Sequence, residues 1–341
     1  MRVVAIGGGT GLPNVLRGLQ PTIVGSDAPE SAREHLVAIV ATSDDGGSSG
    51  RLRAEFNMIP PGDIRNCLAA LSDNRAQIAD LFQYRFGGGD GLNGHAVGNL
   101  MLAALADVTQ DFTIAVDLAA RLIGARGTVL AATTELVTLV AEMADGRVLS
   151  GETAIATAGG GIARLMLLPE RPRCAARVVD AIERATVIVA GPGSLYTSIL
   201  PPLLVPDVSA AIQRSRALRV LVANLMTEPG ETDEYGVLEH VLAIERHLGR
   251  QLFDCVIYNT TPIPDALADR YRESGAVPVI ATPFDLTTLE RLGVRPLGVP
   301  LVSEHPPGKI RHHPERLAAA ITAIAQRKLG AWRGRADVGG L

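Results

Sequence analysis

Three groups of residues in this chain have the types and spacing to do chemistry. Gly7, Gly8, Gly9 and Gly11 crowd in directly after the apolar run at residues 3–6, and Pro13 then opens a helical pattern carried by Val15, Leu16 and Leu19. A strand, a glycine turn and a helix start make an anion cradle. Glycines let the backbone approach a phosphate, and the unpaired N–H groups of the first helical turn point at it. A second such turn, Gly191-Pro192-Gly193-Ser194, follows the apolar run at 186–190. Two cradles at the carboxyl edge of one sheet suit a ligand with two phosphates better than one with a single phosphate. The third group is acidic: Asp44 and Asp45 follow the run at 36–41, and Asp63 stands in Pro61-Gly62-Asp63-Ile64-Arg65-Asn66. Two carboxylates on one side of a phosphate suit Mg²⁺.

Each group has a competing reading. The first loop lacks the third glycine of G-x-G-x-x-G, where Leu12 or Asn14 stands, and has no lysine for a P-loop. Its glycines could serve close packing alone. Adjacent acids on an extended chain point oppositely, so only one of Asp44 and Asp45 faces a site; Asp45 is taken as the partner of Asp63. Taken singly, Asp63 is placed to cap a helix whose apolar side is Ile64, Cys67, Leu68 and Leu71. His95, after a glycine-rich loop, could cap a helix, coordinate a metal or donate to a phosphate. A serine-hydrolase elbow around Ser194 fails, because Pro192 and Tyr196 occupy the positions where G-x-S-x-G needs glycine.

The elements that must position these groups are legible as a pattern. Continuous apolar runs at 3–6, 36–41, 186–190, 218–223 and 253–258 alternate with helical periodicity, which predicts an α/β fold on a mostly parallel sheet. Runs at 129–132 and 136–141, with an Asp145-Gly146 turn and a return strand at 147–149, predict a small antiparallel insertion over about 129–169. Further strands are expected at 277–281 and 297–302 and a closing helix at 316–328. Residues 1–328 then form a single domain, with a flexible tail at 329–341.

Composition narrows the partners. A net charge of −4 and 4% aromatic residues argue against a nucleic-acid surface. Cys67, Cys174 and Cys255 are far apart with no CxxC, which disfavours a disulfide framework or structural zinc and fits a reducing compartment. No run has the length of a membrane span, and no basic-then-apolar leader precedes the first strand, so a cytoplasmic location is expected.

Six motifs in order carry a resemblance to a known family: Ala5-Ile6-Gly7-Gly8-Gly9-Thr10-Gly11, the Thr42-Ser43-Asp44-Asp45-Gly46-Gly47-Ser48-Ser49-Gly50 loop, the Pro61 to Asn66 stretch, Gly94-His95-Ala96-Val97-Gly98-Asn99-Leu100, the turn from Gly191 through Ile199, and Asn224-Leu225-Met226-Thr227. Over residues 1 to about 325 the chain resembles the YvcK-like gluconeogenesis factors, which are similar in fold to the 2-phospho-L-lactate transferases. The resemblance implies a Rossmann-like three-layer fold, a homodimer, and binding of UDP-N-acetylglucosamine in a role supporting gluconeogenic growth, cell shape and peptidoglycan synthesis. It implies a nucleotide-sugar site drawn from Gly8, Gly9, Thr10, Gly11, Asn14, Gly193, Ser194, Leu195 and Asn224, with Tyr271 and Arg311 from later motifs. It places any Mg²⁺ on Asp45 and Asp63. Pro314 stands where many relatives carry threonine, so phosphorylation of that hydroxyl cannot operate here.

Two functions from different classes follow. The first is a nucleotide-sugar sensor read by a cell-wall synthesis or signalling partner. The second is a Mg²⁺-dependent transferase moving a phosphorylated group from a nucleoside diphosphate donor. The sequence offers no obvious general base beyond His95, which favours the sensor.

Overall fold

Continuous apolar runs form strands because both faces of each must be covered. The computed structural model describes residues 1–25, 29–72, 77–304 and 306–336. In chain order its strands are β1 (Val3–Gly7), β2 (Leu36–Val40), β3 (Thr128–Ala131), β4 (Thr138–Met143), β5 (Val148–Ser150), β6 (Ile162–Leu168), β7 (Val187–Ala190), β8 (Leu218–Val222), β9 (Cys255–Asn259), β10 (Arg295–Val299), β11 (Val302–Glu304) and β12 (Ile310–His312). The helices are α1 (Gly11–Ile23), α2 (Gly47–Phe56), α3 (Gly62–Leu71), α4 (Gln77–Gln83), α5 (Val97–Thr109), α6 (Phe112–Leu122), α7 (Glu152–Ala158), α8 (Ala176–Glu183), α9 (Leu200–Leu204), α10 (Pro206–Arg214), α11 (Val237–Leu248), α12 (Asp265–Arg272), α13 (Pro283–Arg291) and α14 (Pro314–Ala336).

Seven strands form one sheet in the order β10-β9-β8-β7-β1-β2-β3, all parallel. Period-two alternation splits its side chains between two cores. Val3, Ala5, Ala38 and Val189 pack with Leu16 and Leu19 of α1, Leu68 of α3 and Ile321 of α14. Val4, Ile6, Ile39 and Ile188 pack on the other face with Leu139, Leu165 and Leu167 of a second sheet, β5-β4-β6, and with Val241 and Ile244 of α11. The expected three-layer α/β fold is therefore present, with the antiparallel sheet forming part of one outer layer.

Several boundaries differ from the sequence reading. Residues 129–132 belong to the main sheet, where β3 pairs parallel with β2, and not to the antiparallel insertion, which starts at β4. The reason is burial: Val129, Leu130 and Ala131 are covered on both faces, as an edge strand under helices must be. The run at 277–281 is no strand. It pairs with the chain at 225–227 through a single antiparallel bridge, Met226 to Pro278, closed by the Thr227 N–H on the Val277 carbonyl at 2.7 Å and the Val279 N–H on the Leu225 carbonyl at 3.0 Å. The run at 297–302 is split at Pro300 into β10 and β11. The closing helix continues past 328 to Ala336, and residues 337–341 lie outside the described residues.

The face of α1 that meets α14 allows no added atom at Gly18. A Cβ there would lie 2.1 Å from the Pro314 carbonyl oxygen and 3.2 Å from Ala318 Cβ. Gly18→Ala is expected to destabilise the fold by about 1–3 kcal/mol, read as a lower midpoint in chemical denaturation. An unchanged midpoint would show that the two helices are not held this closely.

Candidate functional site

The sheet reverses direction between β1 and β7. From β1 the order runs outward through β2 and β3, and from β7 through β8 to β10. Ligands of open parallel sheets bind at such a switch point, beyond the carboxyl ends of the strands. Both glycine turns lie there. Gly9 has φ +60°, a left-handed conformation that favours glycine. A Cβ on Gly11 would stand 2.0 Å from the carbonyl oxygen of Pro192, and one on Gly193 would stand 3.6 Å from that of Gly8. The turns touch because neither carries a side chain at the contact. Helix α1 starts at Gly11, and its N-cap residue Thr10 makes no side-chain capping bond.

The second turn is held by polar contacts. The Gly193 N–H donates to Asn224 Oδ1 at 3.1 Å. Ser194 Oγ donates to Glu231 and accepts from the N–H and hydroxyl of Thr197 at 3.2 and 2.7 Å. Leu195 is wholly buried, so its side chain belongs to the core below the turn. Burial raises Glu231, and burial together with Glu231 pushes Glu228 up to about 7. The sequence reading gave neither acid a role; their signal was their place in the loop directly after β8.

Beside the first turn is a cavity of about 590 Å³. Thr10, Asn14 and Arg311 line it together, with Arg17, Asn66, Ser303 and His312. Among the described residues no acid lines it, and Arg17 and Arg311 form no ion pair. The wall carrying Arg311 is the β11–β12 hairpin. It is tied down by Asn14 Nδ2 donating to the His312 carbonyl, His312 Nε2 donating to the Ala223 carbonyl at 3.0 Å, and the Ile310 N–H donating to Tyr271 Oη at 3.0 Å. Burial pushes the His312 imidazole down to about 4, so it holds this bond as a neutral ring. Tyr271 packs against the core and fastens the hairpin one residue before Arg311.

The acids are arranged differently from the sequence expectation. Asp63 caps nothing: the N-cap of α3 is Pro61, and Asp63 lies inside the first turn. Its Oδ2 accepts the Gly9 N–H at 2.7 Å. Asp45, expected beside Asp63, turns to the antiparallel layer, where its Oδ1 accepts the Thr153 N–H at 2.9 Å and hydroxyl at 2.7 Å. The acid that faces Asp63 is Asp44, for the reason that neighbours on extended chain alternate. Asp44 Oδ1 accepts the Gly46 N–H at 2.9 Å, and its Oδ2 lies 3.2 Å from the Cβ position of Gly62. Burial pushes Asp63 up to about 6, opposed by the Gly9 N–H and aided by Asp44. Glu152, at the start of α7, comes to the same place and accepts from Ser43 Oγ at 3.3 Å. Burial, then the charges of Asp44 and Asp63, push it up to about 9. Among the described residues no group of three or more His, Cys, Asp or Glu side chains is arranged to hold a metal ion. A mostly hydrated Mg²⁺ needs only one or two carboxylates plus ligand phosphates, and Asp44 with Asp63 meets that.

His95 is buried with Nδ1 3.0 Å from Ser48 Oγ, which also accepts from Asn99 Nδ2 at 2.9 Å. Burial and the charge of Arg51 lower its pKa. No single helix among the described residues is long and apolar enough to cross a membrane.

A parallel sheet with two glycine turns at its switch point and an acid pair alongside defines an α/β protein of the doubly wound class. The family described as 2-phospho-L-lactate transferase CofD matches residues 3–302, and the chain belongs to that family. Within it, the chain is similar to the gluconeogenesis factor of Bacillus subtilis, at 42% identity over 323 residues, covering 95% of this chain and 98% of that one. It is similar also to the gluconeogenesis factor of Halalkalibacterium halodurans, at 41% over 319 residues, covering 94% and 95%. A crystal structure of a UPF0052-family protein from Bacillus halodurans superimposes with a TM-score of 0.86 at 40% identity, covering 94% of this chain and 99% of that chain.

Glu152 binds its proton more tightly folded than unfolded. Its contribution to stability is therefore full below its ordinary value of 4.5 and is lost as pH rises through about 9. Asp63 acts with the same sign between 3.8 and about 6. Thermal unfolding followed from pH 5 to 9 is expected to show Tm falling with pH, and Glu152→Gln is expected to flatten that slope. An unchanged slope in the variant would place the titration elsewhere.

Proposed function

We propose that this chain binds UDP-N-acetylglucosamine in the cavity beside α1 and acts as a regulatory protein, cytoplasmic and homodimeric, in gluconeogenic growth, cell shape and peptidoglycan synthesis. One observation carries the reading. Thr10 and Asn14, from the first cradle, and Arg311, from the far end of the chain, line a single cavity of about 590 Å³ with no acid among its described lining residues, within the roughly 300–1,000 Å³ of small-molecule sites. The diphosphate lies across the turns at 8–11 and 193–195, on the backbone N–H groups of Thr10, Gly11 and Ser194, the Gly9 N–H being held by Asp63. Arg311 adds a charge-assisted bond, with Arg17 as a second cation. Asn224 holds the Gly193 turn in shape, and Tyr271 holds the hairpin that presents Arg311. Binding shifts the hairpin or a dimer surface that a cell-wall synthesis or signalling protein reads.

A second reading, a transferase, is favoured by the acids at the same rim and by the family match. Asp44 and Asp63 would hold Mg²⁺, which would neutralise charge developing on a leaving diphosphate. Asp45 is spent on Thr153 and is not the metal-facing acid in this reading.

Titration calorimetry with UDP-N-acetylglucosamine is expected to show binding at millimolar concentration or tighter. Arg311→Ala should weaken it by roughly tenfold or more, the worth of one charged hydrogen bond. Tyr271→Phe should weaken it less, by loosening the hairpin. Heat that stays at baseline for the unaltered chain would remove the sensor. Turnover of a nucleoside diphosphate donor that is abolished by Asp44→Asn and kept by Asp45→Asn would favour the transferase.

A further inference from the structure

The first turns of α2, α3 and α5 meet in one buried place that the nucleotide reading does not use. A Cβ on Gly62 of α3 would lie 2.3 Å from Ser49 Oγ of α2, and one on Gly98 of α5 would lie 2.9 Å from Arg65 Cγ of α3. Asn99 of α5 donates to Ser48 of α2 at 2.9 Å. None of the three helices carries a side-chain cap at its N-terminus, so all three turn positive dipole ends to this place.

At its centre is Arg65, only 5% exposed. Its Nη2 donates to Asn66 Oδ1 at 2.6 Å, while its Nε and Nη1 are buried without a hydrogen-bond partner among the described residues. A buried guanidinium with unpaired N–H groups is costly. Its plain explanation would be charge compensation of the neighbouring acids. Asp63 has given Oδ2 to the Gly9 N–H and Asp44 has given Oδ1 to the Gly46 N–H, and Arg65 makes an ion pair with neither among the described residues. The acids act on Arg65 only through space, and cations stand nearby as well. Arg85 Nη1 donates to the Gly94 carbonyl and Arg51 Nη2 to that of Asn93, flanking the loop that carries His95. Burial, then the charge of Arg85, depresses the Arg65 pKa, with Asp63 and Asp44 opposing; burial, then Arg51 and Arg85, depresses that of His95, with Glu55 opposing.

We propose that this meeting of helix ends is a second anion subsite, taking the phosphate group of a small phosphorylated molecule through Arg65 and Arg85. A phosphate offers the paired acceptor oxygens that Nε and Nη1 need and relieves the repulsion between the arginines. The subsite adjoins the nucleotide cavity, since Asn66, the hydrogen-bond partner of Arg65, lines that cavity, but its arginines are not among the residues that line it. A second ligand held here would meet the first at the acids.

The test is binding of inorganic phosphate to the full chain by titration calorimetry, against chloride at equal ionic strength. Phosphate is expected to bind, chloride to give no saturable heat, and Arg85→Gln to weaken phosphate at least about tenfold. Arg65→Gln should do the same; because Arg65 is buried, exposed Arg85 decides if that variant does not fold. Arg311→Ala, which removes a cation of the nucleotide cavity, should leave the Arg85-dependent phosphate binding unchanged; phosphate on the glycine turns, which it weakens, is the part that Arg85→Gln retains. UDP-N-acetylglucosamine titrated into the same variants separates the two sites. Phosphate affinity that ignores Arg85→Gln, or that is lost with Arg311→Ala, would overturn the subsite.

Discussion

The hydrogen bond from the Gly9 N–H to the Asp63 carboxylate is the contact on which the rim of this molecule depends. It joins the first turn after β1 to the first turn of α3, and it forms only because nothing larger than glycine stands there. A side chain on Gly8 would put its Cβ 2.5 Å from the same carboxylate oxygen. The touching turns after β1 and β7 obey the same rule at Gly11 and Pro192. Backbone N–H groups rather than side chains are thereby brought to the surface at the switch point, and a parallel sheet can offer an anion little else at that position.

Charge is sorted around this contact. On one side of α1's first turn, Arg17 and Arg311 face a cavity with no acid in its described wall. On the other, Asp44, Asp63 and Glu152 crowd together, and burial leaves Glu152 protonated near neutral pH. Keeping that carboxyl neutral limits the repulsion that three charges would impose. The antiparallel layer belongs to this arrangement as well as to the core. Its helix α7 supplies Glu152 and receives Asp45, so the sheet that covers one face of the parallel core also closes the acidic rim.

The two glycine turns were legible early because they rest on local grammar. Glycines after an apolar run, followed by helical spacing, specify a strand, a turn and a helix start wherever they occur. The alternation of runs and helices likewise specified the parallel sheet, and the hairpin signal at Asp145-Gly146 specified the antiparallel one. The exceptions have local causes. At 129–132 a run with no period of its own could join either sheet. At Pro300 the missing N–H outweighed an apolar pattern, and at 277–281 the pairing with 225–227 stops at one bridge.

By itself, then, the sequence determined where the glycine turns stand and which elements carry them, because those choices depend on neighbours a few positions away. Only the tertiary structure decided which acid of the Asp44–Asp45 pair faces Asp63, because strand alternation allows one and leaves the choice to packing against Thr153. It alone brought Glu152, Arg65 and the hairpin bearing Arg311 to the rim. Their partners lie far off along the chain, in contacts such as Asn14 to His312 and Ser43 to Glu152. No periodicity records such a pairing; it is settled when the layers close on the sheet and each buried polar group must find a partner.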